Sequence, residues 1–368
     1  MCMRRPFAKA GIFLVAVLAL FSLAVAAEPS HDELVKLAQA EGALTIYTNS
    51  SRHSNAGETF EKMYGIKVFS TQLKDMEIIE KISREAAAGV KGADLVFVQD
   101  SGRVYGELLE PGYAVNYIPP SMADIIPEMD LNPLVFEFVI KGIVFNSEKS
   151  EESPIANIWE LTDPEWKGRV QMKDPLQEAV NINFLSMLTR EDWSGKLAAA
   201  YEEHYGKPIE LTTENAGYEW IKRFFSNGVI LGTSDTKLAE NVGATGQDKQ
   251  LIGIFTTNKT RSAGQKNLAL GIAKNITPFS GFYYPMYVLL PSNGQNINAA
   301  KLFAEFILTA DGFKPWTDSP GDYPSNPEIK TNEHDIPMTE WAKILVREDP
   351  EWSFEKRAEV EDFLNGIL

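Results

Sequence analysis

Apolar positions along the chain recur with two alternating spacings. Leu34, Leu37 and Ala38 share one face of a helix over His31–Ala40, which Glu41-Gly42 ends. A buried strand then runs Leu44-Thr45-Ile46-Tyr47 into the polar loop Thr48-Asn49-Ser50-Ser51-Arg52-His53. A helix follows from about Ser54 to Tyr64, with Asn55 and Glu58 as a capping-box-like pair and Gly65 suited to the C′ position. Ile66–Phe69 reads as a second strand. Ile78, Ile79, Ile82 and Ala86 form the stripe of an amphipathic helix over Met76–Ala88. Ala93–Val98 is nearly continuous in apolar residues, as a parallel strand buried on both faces requires. This strand–helix alternation from Leu44 to Val98 predicts a doubly wound α/β lobe with ligand groups at the carboxyl ends of its strands.

The pattern repeats further on. Pro119-Pro120 and Pro127 mark a loop-rich passage, and Phe136–Asn146 is a strand long enough to pass between two lobes. Trp159 and Trp166 are apolar anchors on short helices or turns. Strands are predicted at Val170–Met172, Ile230–Asp235 and Leu251–Phe255, with helices at about Gln177–Leu188, Ser194–His204, Ala216–Phe225 and from Leu238. That makes a second α/β lobe. Asn267–Ile272 and the long Phe282–Leu290 are further strands, Asn298–Leu308 is an amphipathic helix, and two charged helices end the chain.

Residues 1–27 stand outside this pattern. Arg4, Arg5 and Lys9 precede an apolar run from Gly11 to Val25, too short to span a bilayer comfortably, and Val25-Ala26-Ala27 offers a cleavage site. This is the layout of a secretory signal peptide, the alternative being an uncleaved N-terminal anchor. The only cysteine, Cys2, lies in that segment, so the mature chain is expected to hold no disulfide, thiol nucleophile or thiolate ligand. The formal charge of −16 becomes −19 once those three basic residues leave with no acids. Such a charge argues against nucleic acid and anionic membrane surfaces, but not against a small anion met by a local cluster of donors.

The first polar loop can form such a cluster. Hydroxyls and unpaired backbone N–H groups at a helix N-terminus, with Arg52 beside them, are the chemistry of an anion site. An ordinary αβ connection with a solvated arginine would share the sequence. His53 could contact a ligand or metal, or be a solvated helix-start residue. His31, His204 and His334 lack metal-ligand spacing. Glu202-Glu203-His204 lacks the second histidine of a metalloprotease helix, no Gly-x-Ser-x-Gly elbow occurs, and Gly102 and Gly106 make no dinucleotide fingerprint.

Several segments also resemble a family. Glu41-Gly42-Ala43-Leu44-Thr45-Ile46-Tyr47-Thr48, Phe60–Val68, Ala93–Val96, Gly142–Asn146, Trp159–Gly168, Ala299–Leu308 and Tyr323-Pro324-Ser325-Asn326-Pro327 stand in the order found in periplasmic solute-binding proteins of ATP-driven importers. The branch they resemble includes ferric-ion, phosphonate and sugar-phosphate binders. The resemblance implies the type II periplasmic binding protein fold, two doubly wound α/β lobes joined by a strand hinge. Lobe 1 would be residues 28–140 plus 278–335. Lobe 2 would be 141–277 plus 336–368, including the C-terminal helices.

It implies a non-catalytic, monomeric periplasmic receptor that takes a small solute in the cleft and hands it to a membrane permease. No cofactor is implied. The ligand groups would come from the strand ends: Thr48, Asn49, Ser50, Ser51 and Arg52; Gln99, Asp100 and Ser101; Lys173 and Asp174; Ser234 and Asp235; Thr256, Thr257 and Asn258. Iron binders of the family carry adjacent tyrosines after the strand matching Leu251–Phe255, where this chain has Thr256-Thr257-Asn258-Lys259. Tyr283-Tyr284 lies on the next long strand, where neighbours face opposite ways, as core or hinge residues or as metal ligands. Hydroxyls, an amide and a lysine at that turn fit an organic anion, phosphorylated, phosphonate or carboxylate. Ferric ion, or a secreted hydrolase or phosphatase on the same fold, are the other readings.

Overall fold

The computed structural model describes residues 28–318 and 320–368. The expected signal peptide, residues 1–27, lies outside them. No helix among the described residues is long and apolar enough to cross a membrane.

The first half builds α1 (His31–Glu41), β1 (Ala43–Thr48), α2 (Arg52–Tyr64), β2 (Lys67–Gln72), α3 (Asp75–Ala87) and β3 (Leu95–Val98). After β3 come a short helix α4 (Ser101–Arg103), a π-helical turn Val104–Leu109, and β4 (Ala114–Val115). The long β5 (Val135–Asn146) leads to β6 (Val170–Lys173), α5 (Ala179–Leu188), α6 (Glu191–Tyr205), α7 (Ala216–Ser226), β7 (Ile230–Gly232), α8 (Asp235–Gly243) and β8 (Ile252–Thr256). Then follow α9 (Ala263–Lys266), β9 (Leu270–Ile272) and the long β10 (Gly281–Pro291). The tail adds α10 (Ile297–Ile307), α11 (Ala310–Thr317), β11 (Asp322–Pro324), α12 (Met338–Ile344), β12 (Val346–Arg347) and α13 (Pro350–Asn365).

The main path of the sheet runs β2-β1-β3-β10-β5-β8-β6-β7. Its two ends are parallel, β2-β1-β3 on one side and β8-β6-β7 on the other. The middle is antiparallel, because β10 and β5 pair with each other and cross from one end to the other. Every residue of β5 and of β10 is buried. This is the expected fold class, with the two parallel halves joined through one continuous sheet.

Separate cores fill the halves. Ile46, Phe60, Phe97, Phe136, Phe303 and Trp316 pack together on one face of the first half, and Ile78, Ile82, Val96 and Tyr287 on the other. Trp159, Trp220, Phe184, Phe224 and Leu185 fill the second half. A fully buried side chain of this size contributes about 1.5–3 kcal/mol by area, so each half holds a core of its own. The tail touches both. Trp341 and Leu345 join the cluster around Ile78, whereas Val360 and Leu364 of α13 join the core around Trp220. A Cβ on Gly106 would fall 1.9 Å from the ring of Phe354, so this glycine lets α13 lie close over the π-helical turn.

Boundaries moved where tertiary bonds compete with local signals. The second helix starts at Arg52, not Ser54, with Ser51 at the N-cap and no side-chain cap bond, so Asn55 and Glu58 form no capping box. Gly65 does sit at φ 74°, donating to the Glu61 carbonyl. Of the strand expected over Asn267–Ile272 only Leu270–Ile272 forms, and Asn267 instead takes φ 52°.

Candidate functional site

The strand ends of the two halves face each other across a cavity of about 810 Å³. Asn49, Ser50, Ser51, Arg52, Gln99 and Asp100 line it from the first half. Lys173, Asp174, Asp235, Thr256 and Asn258 line it from the second. Four expected residues do not reach it. Thr48 is buried beneath the loop, Ser101 is buried in α4, Ser234 holds the N-cap position of α8 without a side-chain cap bond, and Thr257 turns inward to donate to the Ile140 carbonyl at 3.4 Å.

The loop after β1 folds on its own polar atoms. Thr48 Oγ1 accepts from the Ser50 N–H at 3.1 Å and pairs with His53 Nδ1 at 2.7 Å. The Arg52 N–H donates to Ser50 Oγ at 3.3 Å, the His53 N–H to the Ser50 carbonyl at 3.4 Å, and the Ser54 N–H to the Ser51 carbonyl at 3.1 Å. Most of the backbone donors expected to meet an anion are therefore spent inside the loop, and recognition of charge falls mainly to side chains. His53 is neither solvated nor a ligand. It is fully buried, its ring 3.8 Å from that of Phe97 and 4.8 Å from that of Trp316. Burial depresses its pKa to about 3, so the imidazole is neutral.

Arg52 is not a solvated arginine. Its Nη1 donates to Asp322 Oδ2 at 2.6 Å. Arg261, from the turn after β8, reaches the same oxygen at 3.3 Å, and Asn258 Nδ2 donates to Oδ1 at 2.9 Å. Two guanidinium groups from opposite halves thus meet on one buried carboxylate, beside Lys259. Burial, then the charge of Arg52, lowers the pKa of Arg261; burial lowers that of Lys259, only partly offset by Asp235. Glu137 lies beneath, 3% exposed, with Oε2 lacking any hydrogen bond. Burial and the Asp322 charge raise its pKa well above the usual range, which favours the neutral acid.

The other end of the cavity is acidic. Asp75, the first residue of α3, accepts from Asn49 Nδ2 and from the Gln99 N–H, both at 2.8 Å, and burial pushes its pKa up to about 6. Lys173 reaches Glu178 at 2.5 Å, and the fully buried Lys141 bridges Glu178 at 3.2 Å and Asn181 at 2.8 Å. Asp100 is held by Arg357 at 2.9 Å, which ties α13 to the loop after β3. Asp174 holds its own turn, accepting from the Leu176 N–H at 3.0 Å.

Sequence reading missed Asp75, Glu137, Glu178, Arg261, Trp316 and Asp322, and weighed Lys259 and Tyr284 without placing them among the ligand groups; all eight line the cavity. The strand-end rule, applied to β2, would have found Asp75. Lys259 and Arg261 lie one turn past residues already named. Glu137 lies in the middle of a crossing strand and carries no local signal; Tyr284 stood out only as half of a tyrosine pair. Tyr283 and Tyr284 face opposite sides: Tyr284 lines the cavity, whereas Tyr283 packs against Phe138 and lines a separate hollow behind the sheet. They cannot share one ion. Among the described residues no group of three or more His, Cys, Asp or Glu side chains is placed to hold a metal.

A family profile described as bacterial extracellular solute-binding protein matches residues 55–344. Iron uptake protein A1 of Synechocystis is 24% identical over 277 residues, 66% of this chain and 76% of that protein. Iron-bound HitA from Pseudomonas aeruginosa superposes with a TM-score of 0.69 at 15% identity, covering 88% of this chain and 99% of HitA. AfuA from Actinobacillus pleuropneumoniae, with fructose-6-phosphate bound, superposes with a TM-score of 0.65 at 18% identity, covering 89% of this chain and 99% of AfuA.

Proposed function

We propose that this chain, which belongs to the bacterial extracellular solute-binding protein family, the solute receptors of ABC importers, captures a small organic anion in the cleft and passes it to a membrane permease. The observation that carries the anion is the meeting of Arg52, Arg261 and Lys259 around the single buried carboxylate of Asp322. Burial and the Asp322 charge favour the neutral form of Glu137, and three basic side chains there outnumber the acids, so that corner keeps an excess of positive charge. A phosphate, phosphonate or carboxylate can take the guanidinium N–H groups that Asp322 leaves unused. Removal of residues 1–27 on export would put the receptor in the periplasm, where its two lobes close on the solute.

Ferric ion is the second reading, favoured by the similarity to Iron uptake protein A1 and to iron-bound HitA. Against it stand the opposed faces of Tyr283 and Tyr284 and, among the described residues, the lack of any group of three or more His, Cys, Asp or Glu placed to hold a metal. Calorimetry on protein stripped of solute, with sugar phosphates, alkyl phosphonates and ferric citrate, tests the choice. Saturable binding of a phosphorylated or phosphonate solute, without turnover, is expected. Tight ferric binding with a visible absorption band and no response to organic anions would overturn it.

A further inference from the structure

The acidic end of the cleft bears on what the solute carries besides its acid group. Tyr284 lines the cavity from the middle of β10 and is only 3% exposed. Among the described residues nothing hydrogen-bonds its hydroxyl, although a buried phenol normally finds a partner. Burial, then the charges of Asp235, Glu178 and Asp75, hold its proton on. Glu178 is already met by Lys141 and Lys173. Asp235 has the charge of Lys259 nearby but is less fully bonded: Oδ2 takes the Thr256 hydroxyl at 3.1 Å, and the buried Oδ1 has no hydrogen-bond partner among the described residues.

A phenol hydroxyl with carboxylates near it, one with an unused oxygen, suits an ammonium group. The hydroxyl oxygen and the carboxylates accept its N–H groups. A metal ion fits less well, because the carboxylates are not grouped closely enough to ligate one.

We infer that Tyr284, Asp235 and Asp75 form a subsite for a protonated amine, so that the solute is a zwitterion whose acid group sits at Arg52, Arg261 and Lys259. The inference rests on the anion reading above, and matched probes separate the two. Calorimetry would compare alkyl phosphonates and alkyl carboxylates of two to four carbons with the same acids bearing a terminal amine. The best amino acid or aminophosphonate should bind at least tenfold more tightly than its amine-free partner. Asp235→Asn should erase that preference, and Asp75→Asn, which keeps one of the two hydrogen bonds that Asp75 accepts, should weaken it. Equal binding of both members of every pair would overturn the amine subsite and leave the anion reading standing. Preference unchanged in folded Asp235→Asn and Asp75→Asn proteins would overturn the residue assignment. No binding of any acid, with or without an amine, would overturn both.

Discussion

Removing the Arg52 side chain should cost both binding and stability, and the structure sets the size of each loss. The guanidinium lies 2.6 Å from Asp322 Oδ2, with Arg52 19% and Asp322 3% exposed. Two charges about 4 Å apart at an effective dielectric near 20 attract by about 4 kcal/mol before desolvation is charged against them. Breaking a buried pair outright costs about 3–5 kcal/mol, because a lone charge is stranded. Here Asp322 keeps Arg261 at 3.3 Å and Asn258 at 2.9 Å, so Arg52→Ala should lose only about 1–2 kcal/mol of stability. Asp322→Asn leaves Arg52 with cleft water and should lose less. In Arg52→Ala/Asp322→Asn no carboxylate is stranded, so the double variant should recover part of the loss, with a coupling of about 1 kcal/mol or more. Urea denaturation at pH 7.5 of the four proteins, followed by tryptophan fluorescence, measures the cycle. Solute affinity should behave differently: a lost charge-assisted bond of about 1.5–3 kcal/mol weakens binding by about ten- to a hundred-fold, and the double variant does not restore it. Additive stability changes, or an Arg52→Ala protein as stable as the parent, would show that the pair does not form in solution and would remove the main support for the anion corner.

Two further outcomes rest on groups away from that corner. Glu348 is buried and its pKa is pushed up to about 8, so the folded state holds a proton that the unfolded state releases from about 4.5 upward, and stability should fall as pH rises through 8. His53, depressed to about 3, works the other way, costing stability as pH falls below 6.5 because only the unfolded chain takes up the proton. Glu348→Gln should therefore gain on the parent steadily from pH 5 to pH 8, by about 1–3 kcal/mol at the upper end, in urea midpoints taken across that range; a constant difference would contradict an ionisable, proton-holding Glu348. Separately, a Cβ on Gly217 would meet the Leu188 carbonyl oxygen at 2.0 Å, whereas one on Gly195 meets nothing within 4 Å. Gly217→Ala should lower the melting temperature, at a cost of about 1–3 kcal/mol, and Gly195→Ala in α6 should leave it unchanged or raise it.

Much of the architecture was legible because it repeats a local period. Ile78, Ile79 and Ile82 form the buried stripe read from their spacing, and Leu95–Val98 is buried on both faces as its unbroken apolar run required. The long strand expected at Phe136–Asn146 crosses the molecule one residue longer. The site was legible only where it obeys a local rule. Polar residues at strand ends reached the cavity because a doubly wound sheet aims its carboxyl ends there. Asp322 and Arg52 are 270 positions apart, and nothing in either neighbourhood announces the other. Glu137 sits in Phe-Glu-Phe, where an alternating strand would place it in water, yet β5 is covered on both faces.

His53 shows the same limit from the other side. A histidine after Ser-Ser-Arg at a helix start reads as exposed, but α2 begins early and turns it into the aromatic cluster of Phe97, Phe136 and Trp316. Once Thr48 and Ser50 close the loop inward, the helix end has few N–H groups to offer. Charge in the cleft is then set by Arg52, Arg261, Lys259 and the acids facing them, which only the folded chain brings together. The identity of the solute should accordingly follow those long-range pairs more than the polar loop after β1.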